Sequence, residues 1–309
     1  MDWVAIQFAA VRMPSANGVD MRLEEAARFV NENDFLVAAT PAQVTFPGEH
    51  TFSFPSPLPS PYDENNVVVG RLYRGGSDWQ KRPAVILVHG WNDATSHFIH
   101  FPMLAKKMER AGLNVATMEL PYHFQRRPRQ RLGAASNFLS ADILRTAQAA
   151  AQAVAEIRAM TRWLVNQGCP KIGLMGVSLG GWLGGLAACL EPQLDALALV
   201  VPATRLDRLI QELAFCRSIR IALQGRKIEL GRLNLLATAP LVAKENVLLV
   251  EAEYDGFIPK DTIEELRDRW GGPEIWRVPI GHVTVLWMPG LIRRIAGWFE
   301  GKLAAPAER

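Results

Sequence analysis

The sequence predicts an α/β fold, a mostly parallel central sheet with helices on both faces. Three observations carry that expectation. Short apolar runs alternate with helical stretches from residue 82 to residue 303, and strands separated by helices need crossover connections, which set neighbouring strands parallel. The run at 82–90, Arg-Pro-Ala-Val-Ile-Leu-Val-His-Gly, is opened by proline and closed by glycine, the pattern of a strand buried on both faces. A chain of 309 residues with 49% hydrophobic and 21% charged content is long enough to bury a large core.

In chain order, residues 1–64 are expected as an N-terminal extension packed on a body formed by residues 65–309. Within the extension, residues 20–30 read as a helix, with Met21, Leu23, Ala26, Ala27, Phe29 and Val30 on a rough apolar face and Glu24 and Glu25 outside it. Residues 53–61 carry proline at every second position, which removes backbone donors and predicts an extended, unpaired connector. A proline-rich docking ligand is the other reading of such a stretch. Val67–Tyr73 is expected as an early edge strand, followed by a turn at 75–78 and the strand at 82–90. A helix at 98–111, a strand at 113–120, an alanine-rich helix at 141–167, a strand at Ile172–Val177 and a helix at 182–190 come next. Strands at 196–201, Val247–Ala252 and 275–279 and a closing helix at Leu291–Leu303 complete the series.

The alternation breaks between residues 203 and 245, where helical segments at 205–215, 219–224 and 234–242 intervene. This is expected as a small helical cap insertion at about 204–245, over the carboxyl ends of the strands, where ligands bind in open α/β sheets. An ordinary crossover lengthened by a helix pair is the alternative.

The stretch with the strongest chemical content is Lys171-Ile172-Gly173-Leu174-Met175-Gly176-Val177-Ser178-Leu179-Gly180-Gly181. An apolar strand must reverse within two residues into a helix, which forces Ser178 into a strained turn and requires side-chain-free neighbours at Gly176 and Gly180. The turn lifts the Ser178 hydroxyl above the sheet edge, beside the Leu179 N–H and the N-terminus of the following helix. Gly181, Gly184 and Gly185 recur at helical spacing and let that helix approach the sheet, a packing role, since neither a P-loop lysine nor a dinucleotide fingerprint is present.

Gly176-Val177-Ser178-Leu179-Gly180 resembles the nucleophile elbow of the α/β-hydrolase superfamily, and the resemblance spans about residues 65–303. It implies a serine nucleophile followed in the chain by an acid and a histidine, each in a loop after a strand. Val247–Ala252 runs into Glu253-Tyr254-Asp255-Gly256-Phe257-Ile258-Pro259, which resembles the D-x-x-(V/I)-P form of that family and makes Asp255 the acid. Val278-Pro279-Ile280-Gly281-His282 supplies the base, because no other histidine follows Ser178. Glu251 and Glu253 are rivals of Asp255, and Asp255 also suits a helix N-cap. By the same resemblance His89-Gly90-Trp91-Asn92 is similar to the H-G-x turn, so the oxyanion donors are expected at the Trp91 and Leu179 N–H groups, with His89 bracing the turn. The implied reaction is carboxylic ester hydrolysis through an acyl-enzyme on Ser178, with no metal or organic cofactor. The same three residues serve a peptidase or an acyltransferase, and a noncatalytic binding protein on a hydrolase scaffold is a reading of another class.

Pro121-Tyr122-His123-Phe124-Gln125-Arg126-Arg127-Pro128-Arg129-Gln130-Arg131 mixes aromatics with arginines after the strand ending at Leu120. Tyr122, Arg126 and Arg127 are therefore candidate substrate contacts, suited to an anionic group that arginine grips in bidentate fashion, and Asn92, a weaker oxyanion-donor candidate from the turn after His89, is a fourth candidate contact. A solvated loop paired with Glu119, Asp142 or the insertion is the competing reading. The loop resembles one in a sparsely characterised branch of the superfamily linked to lipid-like esters.

Net charge of +3 gives no overall nucleic-acid footprint, so the expected partner is a small ester or lipid-like substrate. Cys169, Cys189 and Cys216 are odd in number and irregularly spaced, which argues for reduced core thiols. Asp2 near the start and the lack of a basic n-region speak against a secretory signal, and no apolar run approaches bilayer length. Cytoplasmic location without stable membrane insertion is the resulting default.

Overall fold

The central strands are buried on both faces, and alternate residues feed two separate cores. In the computed structural model, which describes residues 1–3, 5, 20–31, 40–129, 138–213, 216–228 and 231–304, the strands are β1 (Thr51–Pro55), β2 (Val67–Tyr73), β3 (Ala84–Val88), β4 (Asn114–Met118), β5 (Ile172–Val177), β6 (Ala196–Val200), β7 (Val247–Ala252) and β8 (Glu274–Val278). The helices among these residues are α1 (Leu23–Asn31), α2 (Phe101–Arg110), α3 (Ile143–Asn166), α4 (Leu179–Ala188), α5 (Leu206–Glu212), α6 (Arg217–Leu223), α7 (Lys260–Arg269) and α8 (Leu291–Leu303). Ile86, Val88, Ile172 and Leu174 pack with α3 and α4 on one face, whereas Val85, Leu87, Met175 and Val177 pack with α2 and α8 on the other.

The strand order is β1-β2-β4-β3-β5-β6-β7-β8. β1 and β4 each pair antiparallel with β2, and the remaining neighbours are parallel. Parallel register carries the carboxyl ends of β3, β5, β7 and β8 to one rim, and the chain turns there into the loops holding His89, Ser178, Asp255 and His282.

Several expectations need correction. Residues 53–55 of the proline-rich stretch are paired rather than free: alternation buries Phe52 and Phe54, and Pro55 falls at the last position of β1. Val67–Tyr73 is consequently the second strand, not an edge. The helix expected at 98–111 starts with a π turn at Ser96–His100 and becomes α-helical at Phe101, with Pro102 in the first turn, where its missing N–H costs nothing. The segment expected as a helix at 234–242 forms only short 3₁₀ turns, because the Asn234 side chain accepts the Leu236 N–H and the chain is extended by Thr238. Residues 214–215 and 229–230 of the insertion, Arg131 of the basic loop and much of 1–40 lie outside the described residues.

Glycine is compulsory at the elbow. A Cβ on Gly176 would lie 2.1 Å from the Gly180 carbonyl oxygen, and one on Gly180 would lie 2.3 Å from that of Val88. Both obstacles are backbone, one in α4 and one in β3, and have no room to yield.

Candidate active site

Ser178 occupies a backbone conformation that L-residues rarely adopt, φ 54° and ψ −113°, at a cost on the order of 1–3 kcal/mol. Its surroundings enforce it: the Ser178 N–H donates to the Val200 carbonyl at 2.9 Å, and its own carbonyl accepts from the Trp182 and Ala203 N–H groups, each at 3.1 Å. The hydroxyl consequently stands at the N-terminus of α4, where the first N–H groups of a helix have no intrahelical partner.

The Ser178 Oγ lies 2.9 Å from His282 Nε2, and His282 Nδ1 lies 2.8 Å from Asp255 Oδ2. A carboxylate only accepts, so Nδ1 carries the proton and Nε2 is left to accept from the serine hydroxyl. The Asp255 side chain is 1% exposed and that of His282 is 9% exposed, so the bond between them is largely screened from water. Phe257 packs on the imidazole with ring centroids 4.9 Å apart. Asp255 is not the N-cap of α7, a position held by Pro259; its Oδ1 accepts the Phe257 and Ile258 N–H groups, both at 2.8 Å, and closes the turn before that helix, while Oδ2 faces the histidine. Of the rival carboxylates, Glu251 sits on β7 opposite Arg277, 3.8 Å away, and burial raises its pKa.

The turn after β3 lies against the serine, since a Cβ on Gly90 would be 3.3 Å from Ser178 Cβ. His89 is fully buried and spends both ring nitrogens on bracing: Nδ1 donates to the Gly90 carbonyl at 2.7 Å and Nε2 accepts the Leu120 N–H at 3.0 Å. Burial, reinforced by the neighbouring His123 and His97, holds its pKa well below 6.5, so this imidazole stays neutral. His97, His123 and Phe124 surround His89 with ring centroids 4.8–5.1 Å away. Burial likewise lowers His97 and His123 to about 4. This aromatic packing behind the turn was not anticipated from the sequence.

A cavity of about 580 Å³ opens over Ser178 and His282. Trp91, Asn92 and Leu179 line it near the serine, and Leu206, Leu209 and Leu213 line it from the insertion. A smaller apolar hollow of about 70 Å³ shares Leu139, Leu206, Leu209 and Leu213 with it.

Three expected substrate contacts lie elsewhere. Among the described residues, Tyr122, Arg126 and Arg127 do not line the cavity. Arg126 is fully buried and forks onto Glu156, with Nη1 and Nη2 at 2.7 and 2.6 Å from the two carboxylate oxygens. It also donates to the carbonyls of Glu119 and Asn65, and its full burial closes it to a ligand from the cavity. Tyr122 is buried with its ring edge-on to Tyr62, and its N–H donates to Asn65 Oδ1. Arg127 reaches the site only through Asn92, whose Oδ1 accepts from Nη2 at 2.9 Å.

A further group, unforeseen in the sequence, reaches the relay from the other end of the chain. Asp2 is buried, and its carboxylate accepts the N–H groups of His282, Gly256 and Val283 at 2.7, 3.0 and 3.2 Å. Met1 and Ala5 of the same turn line the cavity.

A sequence profile for the family described as Alpha/beta hydrolase domain containing 18 matches residues 32–205. An uncharacterized protein found in two strains of Mycobacterium tuberculosis is 31% identical over 227 residues, or 72% of this chain and 54% of its own length. The chain thus spans about half the length of the curated relatives it matches. Among solved structures, Est1E of Butyrivibrio proteoclasticus with ferulic acid bound aligns with a TM-score of 0.56 at 14% identity, covering 77% of this chain and 96% of that one. An esterase of Pyrococcus furiosus aligns with a TM-score of 0.56 at 14% identity over 87% of this chain and 99% of its own. The alpha/beta hydrolase GrgF of Penicillium sp. sh18 aligns at 0.53 and 16% identity, over 77% and 95%. At such identities the likeness is one of fold.

Proposed function

Because this chain belongs to the alpha/beta hydrolase domain containing 18 family, we propose that it is a serine hydrolase cleaving carboxylic esters through an acyl-enzyme on Ser178. The observation that carries the reading is the unbroken relay from the Ser178 hydroxyl through His282 to Asp255, at 2.9 and 2.8 Å, on the floor of a cavity.

In this reading His282 Nε2 takes the serine proton as Oγ bonds to the ester carbonyl carbon. The Asp255 carboxylate, already hydrogen-bonded to Nδ1, stabilises the imidazolium. The tetrahedral oxyanion accepts from the Leu179 and Trp91 N–H groups in this reading, which is supported by both residues lining the cavity beside Ser178. Imidazolium protonates the leaving alcohol, the acyl-enzyme forms, and His282 then draws a proton from water for deacylation, returning Ser178 to its starting state.

The insertion serves as a small cap: α5 presents Leu206 and Leu209 to the cavity above the serine. A wall of this kind suits an apolar acyl group, and the adjoining hollow extends the same apolar lining. The test is labelling by a fluorophosphonate together with hydrolysis of short p-nitrophenyl esters. Wild type is expected to form an adduct and turn over, and Ser178→Ala to do neither while keeping its fold. Unchanged turnover in Ser178→Ala removes the mechanism.

A further inference from the structure

Where β7 and β8 run out at the rim, main-chain pairing continues for two more steps: Glu253 N–H donates to the Val278 carbonyl at 2.8 Å, and Tyr254 N–H to that of Ile280 at 3.1 Å. Beyond them the pattern fails, because the Gly256 and His282 N–H groups both point into the same gap and two donors cannot satisfy each other. The acceptor comes from more than 250 residues away in sequence: Asp2 Oδ2 takes Gly256 N–H at 3.0 Å and His282 N–H at 2.7 Å, and Oδ1 takes Val283 N–H at 3.2 Å.

We propose that Asp2 is a positioning residue of the active site, whose carboxylate clamps the loop carrying His282 to the loop carrying Asp255 and so sets the reach of the imidazole to Ser178. The proposal rests on the serine-hydrolase reading. Asp2 touches no reacting atom. It holds the backbone of the base itself and of the residue directly after the acid, so any slack in the clamp is transmitted to both hydrogen bonds of the relay.

The chemistry of the gap selects a short carboxylate. Three converging N–H donors need two acceptor oxygens, which Asp provides and Asn does not, since the amide nitrogen of Asn would confront a further donor. The approach is close enough that a Cβ on Gly281 would lie 2.8 and 2.9 Å from the two Asp2 oxygens, so Gly281 is the counterpart that admits the carboxylate. Trp3, in the same turn, is exposed and lines no part of the cavity, which makes it an internal control.

The experiment compares full-length wild type, Asp2→Ala, Asp2→Asn, Trp3→Ala and Gly281→Ala on p-nitrophenyl butyrate, with amide hydrogen exchange of the segments containing residues 256 and 282–283. Because misplacement of a catalytic group by about 1 Å costs on the order of 100-fold, Asp2→Ala is expected to lower kcat about 10- to 100-fold. KM should stay within about twofold, the sign of a loss felt in the transition state. Asp2→Asn should fall between wild type and Asp2→Ala, Trp3→Ala should retain wild-type kcat, and exchange at both segments should speed up in Asp2→Ala. Gly281→Ala should mimic Asp2→Ala and add little to it in the double variant, since both remove the same clamp. Wild-type kcat in Asp2→Ala, or a loss matched by Trp3→Ala or accounted for by unfolded protein, overturns the proposal. If Ser178→Ala is inactive while Asp2→Ala is normal, only the clamp fails. Active Ser178→Ala fails the hydrolase reading itself.

Discussion

Arg126 and Glu156 form a two-pronged ion pair in which neither side chain is more than 1% exposed. The arginine-rich loop after β4 is thereby riveted to α3, and Glu156 also accepts the Ser56 hydroxyl, bringing the proline-rich stretch into the same joint. What the sequence offered as an anion grip is internal bracing.

Removing one partner of such a pair leaves the other charge buried without compensation, at about 3–5 kcal/mol. Arg126→Ala should therefore show a large fall in stability by urea denaturation. Its residual activity should drop equally on neutral and phosphorylated esters, tracking the folded fraction. A selective loss on anionic esters, with stability intact, would return the loop to substrate binding.

Asp255 divides its two oxygens between the turn and the imidazole, so its substitutions separate the two duties. Asp255→Asn keeps an acceptor for the Phe257 and Ile258 N–H groups but turns an amide N–H₂ donor toward His282 Nδ1, which favours the wrong imidazole tautomer. The expected result is a fall in kcat of about three to four orders of magnitude with little change in Tm. Asp255→Ala should lose both activity and Tm. A mild effect of Asp255→Asn on rate would transfer the acid role to Glu253 or Glu251.

The histidines packed behind the turn at Gly90 make stability depend on acid. His97 and His123, lowered by burial from 6.5 to about 4, bind protons more readily in the unfolded chain than in the folded one. Their contribution is complete above about pH 6.5 and is lost as pH falls from there toward 4. Thermal melts between pH 7 and pH 4 should show Tm declining over that interval, and His97→Gln should flatten the decline. An unchanged slope in that variant would assign the acid sensitivity elsewhere.

The parts legible in sequence are those whose physics is local. β3 and β5 are buried on both faces and so read as uninterrupted apolar runs, as does β7 up to Glu251, and the elbow announces itself because only glycine fits at 176 and 180. Features that depend on distant partners were not legible. Nothing within 121–131 tells that Arg126 meets Glu156 on a helix 30 residues later, and the alanine-rich stretch containing Glu156 hides a row of buried polar groups that includes Gln152 and Arg158. Proline at every second position masked the pairing of β1, because the burial of Phe52 and Phe54 outweighs the one donor lost at Pro55. Asp2 has no local signature at all, since its three donors belong to the far end of the chain.

The contorted backbone at Ser178 has an evolutionary corollary. That dihedral pair suits glycine far better than serine, so on the proposed mechanism a lineage freed from the demand for turnover would gain robustness by discarding the hydroxyl. Homologues bearing glycine at the matching site, with the sheet otherwise preserved, would mark where the chemistry was abandoned and the scaffold retained.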